Sequence, residues 1–160
     1  DIVMGEIFMR LERGEIGFRQ YFQDLQYTLP SGEKLNYEEF QLRWMSNNID
    51  ELPAVQCLPK LKDNFRLYII SNTSEAHIDS LKKQFALFSN FEKIITSESA
   101  NSSKPSLEIF NYALNKTEST VESSIFIDDM AGNVNVAKKM GFTTHHYQNY
   151  EDFDTFISLF

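Results

Sequence analysis

The chain has 160 residues, of which 42% are hydrophobic and 14 are phenylalanine. This composition argues against a disordered protein, and the length suffices for one domain with a core, or for a core with a small appendage. The formal net charge of −8 argues against nucleic acid as a partner, because such binding depends on Lys and Arg side chains that neutralise phosphates. No apolar run reaches the ~20 residues that cross a bilayer, and no N-terminal segment resembles a secretion signal. The single cysteine, Cys57, excludes an internal disulfide, so we expect a cytoplasmic protein with no membrane partner.

Residues 1–52 have the periodicity of helices. Apolar residues recur there in three stripes, which are Ile2-Val3, Ile7-Phe8 and Leu11; Phe18, Tyr21-Phe22 and Leu25; and Phe40, Trp44 and Met45. Gly14 separates the first two stripes, and Asn36 followed by Glu39 is typical of a capping box at the start of the third helix. Aromatic residues at this spacing could line a pocket, but they more often form a core, which is the interpretation we adopt.

From Pro53 onward the pattern alternates between helix and strand. The predicted strands are Leu67–Ile70, Ile94-Ile95, Ile125–Ile127 and about Thr143–Tyr147. The predicted helices are Val55–Leu61, Ile78–Phe85, Pro105–Leu114 with Pro105 in the first helical position, Val134–Met140 and a last one from about Tyr150. This alternation predicts an α/β fold with a doubly wound parallel sheet.

Polar side chains fall at the ends of the apolar strands or just before a helix. Ser71-Asn72 closes the first strand, Lys104 directly precedes Pro105, and Asp128-Asp129 closes the third strand. Each alone is common in turns, loops or helix caps. At one edge of a parallel sheet, however, a hydroxyl donor, an ammonium and a carboxylate pair that can hold a cation form a phosphate site, to which helix N-termini add.

Three segments resemble motifs of the haloacid dehalogenase-like (HAD) hydrolase superfamily. Leu67–Thr73, Lys104-Pro105 and Phe126–Asp129 look like motifs II, III and IV, in the family's order and with its approximate spacing. The resemblance implies a Rossmann-like, HAD-like core over residues 53–160. It further implies a Mg²⁺-dependent phosphatase that acts on a small phosphorylated metabolite through an aspartyl-phosphate intermediate.

The N-terminal part resembles one branch of that superfamily. Gly5–Phe8 with Glu12–Ile16 is similar to the helical cap of the branch that includes the alpha-D-glucose-1-phosphate phosphatases and the phosphatase domain of soluble epoxide hydrolases. Asp129–Asn133 strengthens that placement. The resemblance therefore implies a small helical cap at residues 1–52.

The resemblance also implies roles for the phosphate-binding residues. Ser71 would hydrogen-bond the transferred phosphoryl group, and Asn72 would assist it. Lys104 would neutralise charge on the phosphoryl group and on the nucleophile, which makes it a catalytic as well as a phosphate-binding residue.

The resemblance likewise implies which residues bind the metal ion. Asp129 would be a direct Mg²⁺ ligand, Asp128 a second acidic and catalytic group near the ion, and Asn133 an outer residue that orients them. Mg²⁺ fits these positions because it prefers hard oxygen ligands together with a substrate phosphate.

The family's motif I, a strand that ends in the nucleophilic Asp, has no counterpart in this sequence. Asp1 follows no strand, and Asp152–Thr155 carries a helical stripe rather than an apolar run. In the family that strand lies between those bearing motifs II and IV, so its absence would leave a gap of ~9–10 Å. The segment either lies outside these residues, is supplied by another chain, or is dispensable because the sheet re-forms. We expect the chain as written to be close to inactive.

Alternative functions stay open at this point. A non-catalytic HAD-like protein would use the same site to bind phosphate or a partner, and a haloacid dehalogenase would need no metal. A response-regulator receiver is disfavoured, because its acid pair comes first in the chain and its Lys last. We also exclude a metal site at His145-His146, since adjacent residues on a strand point to opposite faces. No feature of the sequence predicts an oligomeric state.

Overall fold

The computed structural model describes residues 5–12, 14–45 and 50–160. Its helices are α1 (Glu6–Glu12), α2 (Phe18–Thr28), α3 (Tyr37–Met45), α4 (Leu58–Asn64), α5 (Glu75–Gln84), α6 (Ser97–Ala100), α7 (Leu107–Thr117), α8 (Ala131–Met140) and α9 (Tyr150–Ile157). Its strands are β1 (Tyr68–Ser71), β2 (Lys93–Thr96), β3 (Ile125–Asp128) and β4 (Thr143–His146). Of the predicted helical stripes, Ile2, Val3 and the side chain of Met45 lie outside the described residues. None of the described helices has the length and apolar character needed to span a membrane.

The three N-terminal helices pack around one aromatic residue. Tyr21 is fully buried, and its ring lies 5.4 Å from that of Trp44 and 6.2 Å from that of Phe8. α3 begins where the sequence predicts, because the Asn36 side chain accepts a hydrogen bond from the Glu39 amide at 2.9 Å. The aromatic stripes therefore form a core, as the sequence predicts.

This helical unit touches the rest of the protein through a glycine. Gly14 has a φ of +72°, and a Cβ atom at this position would overlap the carbonyl oxygen of Ser97. Gly17 lies against the Glu98 side chain, with 3.2 Å between the position of a Cβ and Oε1. The loop between α1 and α2 therefore lies directly on the start of α6, and only a residue without a side chain permits this approach.

The four predicted strands are confirmed, and they pair in parallel. β1 pairs with β2 in a register that runs from Tyr68 opposite Lys93 to Ser71 opposite Thr96. β3 pairs with β4, with Asp128 opposite His146. The two pairs form separate two-stranded sheets. A cleft of about 730 Å³, lined by residues of both β1 and β3, lies between them.

The largest core cluster lies on one face of the strands, under α7 and α8. Ile109 and Phe110 of α7 are fully buried, and the Phe110 ring packs edge-on against Phe126 of β3 at 5.1 Å. In contrast, every residue of β1 is only half-buried. Of the four described strands, β1 is therefore the one without a buried residue.

Two helix boundaries differ from the prediction. α7 begins at Leu107 and not at Pro105, because Ser106 has an extended backbone (ψ 142°) that cannot continue a helix. The predicted helix Val55–Leu61 is a 3₁₀ turn, Pro53–Cys57, followed by α4. The terminal helix predicted around Asp152 is confirmed, and its first turn is capped by the Asn149 side chain, which accepts from the Asp152 amide at 2.9 Å.

We expect Gly14→Ala to lower the free energy of unfolding by about 1–3 kcal/mol, because alanine is strained at positive φ and its Cβ meets the Ser97 carbonyl. Urea denaturation followed by circular dichroism measures the change. Gly132→Ala is the matched control, since a Cβ there has no atom within 4 Å. An equal effect of the two substitutions would contradict the close contact at Gly14.

We expect Tyr21→Phe to raise the free energy of unfolding by about 1 kcal/mol, because the buried Tyr21 hydroxyl has no hydrogen-bond partner among the residues that the structure describes. Burial raises the pKa of Tyr21 to about 12. The folded protein therefore holds this proton more tightly than the unfolded chain, and the stability that results is lost as the pH rises from about 10 to about 12. Denaturation curves across this range should fall more steeply for the wild type than for Tyr21→Phe; parallel curves would contradict the prediction.

Candidate active site

The polar residues predicted from the strand ends are brought together at one edge of the molecule. Ser71 is the last residue of β1 and Asp128 the last of β3, and Lys104 lies in the loop between α6 and α7. Parallel strands place their carboxyl ends on the same side, so the side chains that follow β1 and β3 share this edge. The α6–α7 loop crosses it from the β2 side.

Lys104 and Asp128 form a nearly buried ion pair. The distance from Lys104 Nζ to Asp128 Oδ2 is 2.6 Å, and the side chains are 13% and 4% exposed. The other carboxylate oxygen, Oδ1, accepts hydrogen bonds from the Met130 amide at 2.8 Å and from Asn133 Nδ2 at 2.9 Å. Both oxygens of Asp128 are thus satisfied inside the protein, as a buried carboxylate requires.

Asn133 lies where the sequence places an orienting residue. Asn133 is buried in the first turn of α8. Its amide donates to Oδ1 of Asp128, whereas Lys104 pairs with Oδ2. Asn133 can reach Asp128 because the connection between β3 and α8 is short, so that Asn133 lies in the first turn of the helix that follows the strand end.

Asn72 holds the main chain of Lys104. Its Nδ2 donates to the Lys104 carbonyl at 2.9 Å, and its Oδ1 accepts from the Lys104 amide at 2.7 Å. Both polar atoms of the side chain are therefore engaged with the loop. The predicted assistance to a phosphoryl group stays a prediction, and in this structure Asn72 instead attaches the end of β1 to the loop that carries the lysine.

Ser71 keeps its hydroxyl available. It is half-buried, and its Oγ makes no hydrogen bond to any residue that the structure describes. The first turn of α5, which follows Ser71 in the chain, is already occupied: the Glu75 amide donates to Glu98 Oε2 at 2.8 Å and the His77 amide to Ser74 Oγ at 3.2 Å. The start of α5 is therefore less open to an anion than the sequence suggests.

Asp129 differs from its neighbour in environment. It is exposed, and within the described part of the chain no hydrogen bond or ion pair reaches its carboxylate. Met130, the next residue, is 62% exposed. One acid of the pair is thus committed to the protein interior, and the other is open to a ligand.

His146 is a residue at this edge that the sequence did not assign. Its Nε2 lies 2.9 Å from the carbonyl oxygen of Asp129, and the strand register that pairs Asp128 with His146 explains the contact. Knowledge of the β3–β4 register would have revealed it. His145 faces away and stacks on Phe156 at 4.5 Å, which agrees with the exclusion of a two-histidine metal site.

The acid pair suits a weakly chelated hard cation. Among residues 5–12, 14–45 and 50–160 no group of three or more His, Cys, Asp or Glu side chains could hold a metal ion. These described residues therefore offer no set of side chains for a closed zinc or calcium cage. One or two carboxylates beside a phosphate site match the way Mg²⁺ binds, since it keeps several waters and takes the rest of its ligands from the substrate phosphate.

The chain is similar in sequence to a known family and to a known phosphatase. The haloacid dehalogenase-like hydrolase family matches residues 18–146 of the chain. The chain is 26% identical over 157 residues to the D-ribitol-5-phosphate phosphatase of Bacteroides thetaiotaomicron, a match that covers 91% of this chain and 73% of that protein.

Solved structures show the same fold. A HAD family enzyme from B. thetaiotaomicron in complex with magnesium and inorganic phosphate superimposes with a TM-score of 0.80, at 25% identity and over 96% of this chain and 80% of that one. A predicted HAD-like family hydrolase from Porphyromonas gingivalis superimposes with a TM-score of 0.78, at 24% identity and over 96% of this chain and 77% of that one. Since the family match extends over most of its length, the chain belongs to the haloacid dehalogenase-like hydrolase family.

Proposed function

We propose that this protein is a Mg²⁺-dependent phosphatase that hydrolyses a small phosphate monoester. The observation that carries the proposal is the arrangement at the sheet edge, where the buried Lys104–Asp128 pair stands beside an open carboxylate, Asp129, and an open hydroxyl, Ser71. The similarity to a D-ribitol-5-phosphate phosphatase and to an enzyme that binds magnesium and inorganic phosphate supports it.

In this proposal Ser71 and Lys104 bind the phosphoryl group. The Ser71 hydroxyl donates a hydrogen bond to a phosphoryl oxygen, and the Lys104 ammonium neutralises the charge that three equatorial oxygens share. Lys104 is held rigidly, because Asn72 fixes its main chain and Asp128 its Nζ atom. A charge fixed before the substrate arrives costs no reorganisation during the reaction.

Asp129 would be a direct ligand of Mg²⁺, and Asp128, the preceding residue, would be a second acidic group near the ion. When bound, the ion supplies positive charge at the phosphoryl oxygens and orients them. Asn133 and the Met130 amide keep the Asp128 carboxylate in place while its other oxygen stays paired with Lys104. Asp128 therefore acts mainly by positioning the lysine.

The nucleophile in this proposal is an aspartate outside the 160 residues. Its carboxylate oxygen bonds to phosphorus as the bond from phosphorus to the ester oxygen breaks, and the departing ester oxygen takes a proton from water to leave as the alcohol. A water molecule then attacks the aspartyl phosphate, which releases inorganic phosphate and regenerates the carboxylate. Without that aspartate the 160-residue chain binds phosphate but loses turnover by a factor on the order of 10⁶.

We further propose that residues 1–52 act as a cap over the core formed by residues 53–160. Two features support this division: the helical unit has its own aromatic core around Tyr21, and it reaches the α/β part through the contact between Gly14 and Ser97. The cap would then select the alcohol part of the substrate. The placement in the glucose-1-phosphate phosphatase branch stays a prediction.

A second candidate is phosphate binding without turnover. One observation favours it for this chain, namely that no strand lies between β1 and β3 in the described residues. Hydrolysis of p-nitrophenyl phosphate by the 160-residue chain, abolished by Asp129→Ala, would rule this candidate out. Hydrolysis of a haloacid without added metal would instead indicate a dehalogenase.

We expect inorganic phosphate to raise the melting temperature of the chain, and to do so more strongly when Mg²⁺ is present. A ligand that binds only the folded state raises the free energy of unfolding, and the increase grows with the logarithm of the ratio of ligand concentration to Kd. Asp129→Asn should remove the Mg²⁺-dependent part of this shift, whereas the exposed Asp63→Asn should leave it unchanged. The measurement is differential scanning fluorimetry, and a full Mg²⁺ effect in Asp129→Asn would contradict the metal assignment.

We expect Lys104→Met and Asp128→Asn each to lower the free energy of unfolding by about 3–5 kcal/mol, because each leaves a buried partner uncompensated. The double substitution should cost clearly less than the two single changes together. Chemical denaturation of the four proteins measures this coupling. The exposed Asp79–Lys82 pair is the matched control, and its coupling should stay below about 1 kcal/mol. Additive losses at Lys104 and Asp128 would contradict the ion pair.

A further inference from the structure

The proposed function gives no role to His146, the last residue of β4. Its ring lies beside the acid pair, because Asp128 and His146 are opposite each other in the parallel register and such residues project to the same face of a sheet. The neighbouring His145 projects to the other face and stacks on Phe156. The fold therefore places His146 at the edge that carries the candidate site.

The ring of His146 donates a hydrogen bond to the main chain of Asp129. The distance from Nε2 to the Asp129 carbonyl oxygen is 2.9 Å. A carbonyl oxygen can only accept, so Nε2 carries the proton in this contact. The main chain of Asp129 is thus bound to β4, although its carboxylate is exposed to solvent.

The end of β4 holds both peptide groups that flank the Cα atom of Asp129. On the N-terminal side, the Asp128 carbonyl accepts from the Tyr147 amide at 3.0 Å. On the C-terminal side, the Asp129 carbonyl accepts from the His146 ring. Because a peptide group is planar, fixing these two groups fixes the φ and ψ angles of Asp129, and with them the direction of its Cα–Cβ bond.

The second of these peptide groups is bonded at both of its polar atoms. Its N–H, which belongs to Met130, donates to Asp128 Oδ1 at 2.8 Å, and its C=O accepts from His146. The first bond is made to a buried carboxylate that Lys104 and Asn133 also hold. Loss of the His146 donor would therefore free the carbonyl end of the group while the amide end stays attached.

A fixed main chain favours the binding of a cation by Asp129. An aspartate whose φ and ψ are already set loses only side-chain rotation when it binds an ion, whereas one with a mobile main chain must also lose backbone freedom. Groups that orient a metal ligand commonly contribute a factor of about 10–100 to metal affinity. The contribution of His146 is expected near the lower limit, because its hydrogen bond reaches the main chain and not the carboxylate.

We propose that His146 is a positioning residue for Asp129: by holding the Asp129 carbonyl, it directs the open carboxylate toward a divalent cation. The inference rests on the proposed function, which makes Asp129 the direct Mg²⁺ ligand. The role requires no contact of His146 with the ion or the substrate. It depends on the N–H donor, so a side chain that keeps a donor should replace His146, and a ring without a donor should not.

Two substitutions separate the donor from the ring. His146→Phe keeps a ring without a donor, and His146→Gln keeps an N–H donor on a flexible side chain. Without metal or phosphate, we expect hydrogen exchange of the Met130 amide, measured by NMR, to be about 10-fold faster in His146→Phe and close to wild type in His146→Gln. The amide of Ala113, a buried residue inside α7, should exchange at the wild-type rate in both. Equal acceleration at the two amides, or none at Met130, would overturn the inference.

The second measurement is the affinity for Mg²⁺, determined by isothermal titration calorimetry in saturating inorganic phosphate. His146→Phe should weaken Mg²⁺ binding about 10-fold and His146→Gln should restore it. Phosphate affinity without Mg²⁺ should keep its wild-type value in both variants, a division that a merely structural role of the ring would not produce. His145→Phe, the same substitution on the other face of β4, is the matched control and should bind Mg²⁺ as the wild type does.

The outcomes separate this inference from the proposed function. Wild-type Mg²⁺ affinity in His146→Phe, or an equal loss of Mg²⁺ and phosphate binding, would overturn the positioning role and leave the proposed function in place. A wild-type chain that binds phosphate without any affinity for Mg²⁺ would overturn the metal assignment of the proposed function, and the inference with it.

Discussion

The double attachment of Lys104 connects two halves of a sheet that are not hydrogen-bonded to each other as strands in the described part of the chain. Its main chain is bound through the Asn72 amide to the segment after β1, and its ammonium is bound to the last residue of β3. Lys104 therefore supplies the positive charge of the candidate site and also joins the segment after β1 to the end of β3. The candidate site and the cleft between the strand pairs both depend on this one connection.

The two adjacent acids at the end of β3 show how environment divides their functions. Asp128 is buried and receives three donors, so its charge is used inside the protein. Asp129 is exposed and open to a ligand. Because β3 ends between an interior and an exterior position, the two consecutive carboxylates have different surroundings: one is paired with Lys104 and the other stays open to a ligand.

Much of this arrangement could be predicted, because it depends on local pattern. Short apolar runs locate the four strands, and parallel strands necessarily gather their carboxyl ends, which brings Ser71, Lys104 and Asp128 to one edge. The contacts of Asn72 could not be predicted, since its partner is 32 residues away and is a main-chain group that any residue would offer. The start of α7 does leave a signal, because Ser106 is a residue type favoured at a helix N-cap, and the choice of Pro105 passed over it. The contact of His146 depends on strand register, which the residue types do not give.

The contact of Gly14 with Ser97 links the helical unit to the candidate site through one further hydrogen bond. Ser97 Oγ donates to the carbonyl oxygen of Thr73 at 3.2 Å, and Thr73 lies two residues after Ser71. The helical unit is therefore connected, through Ser97, to the segment that contains Ser71 and its open hydroxyl. By thermodynamic reciprocity, the coupling free energy between a ligand on the helices and a ligand at this segment has the same value in both directions.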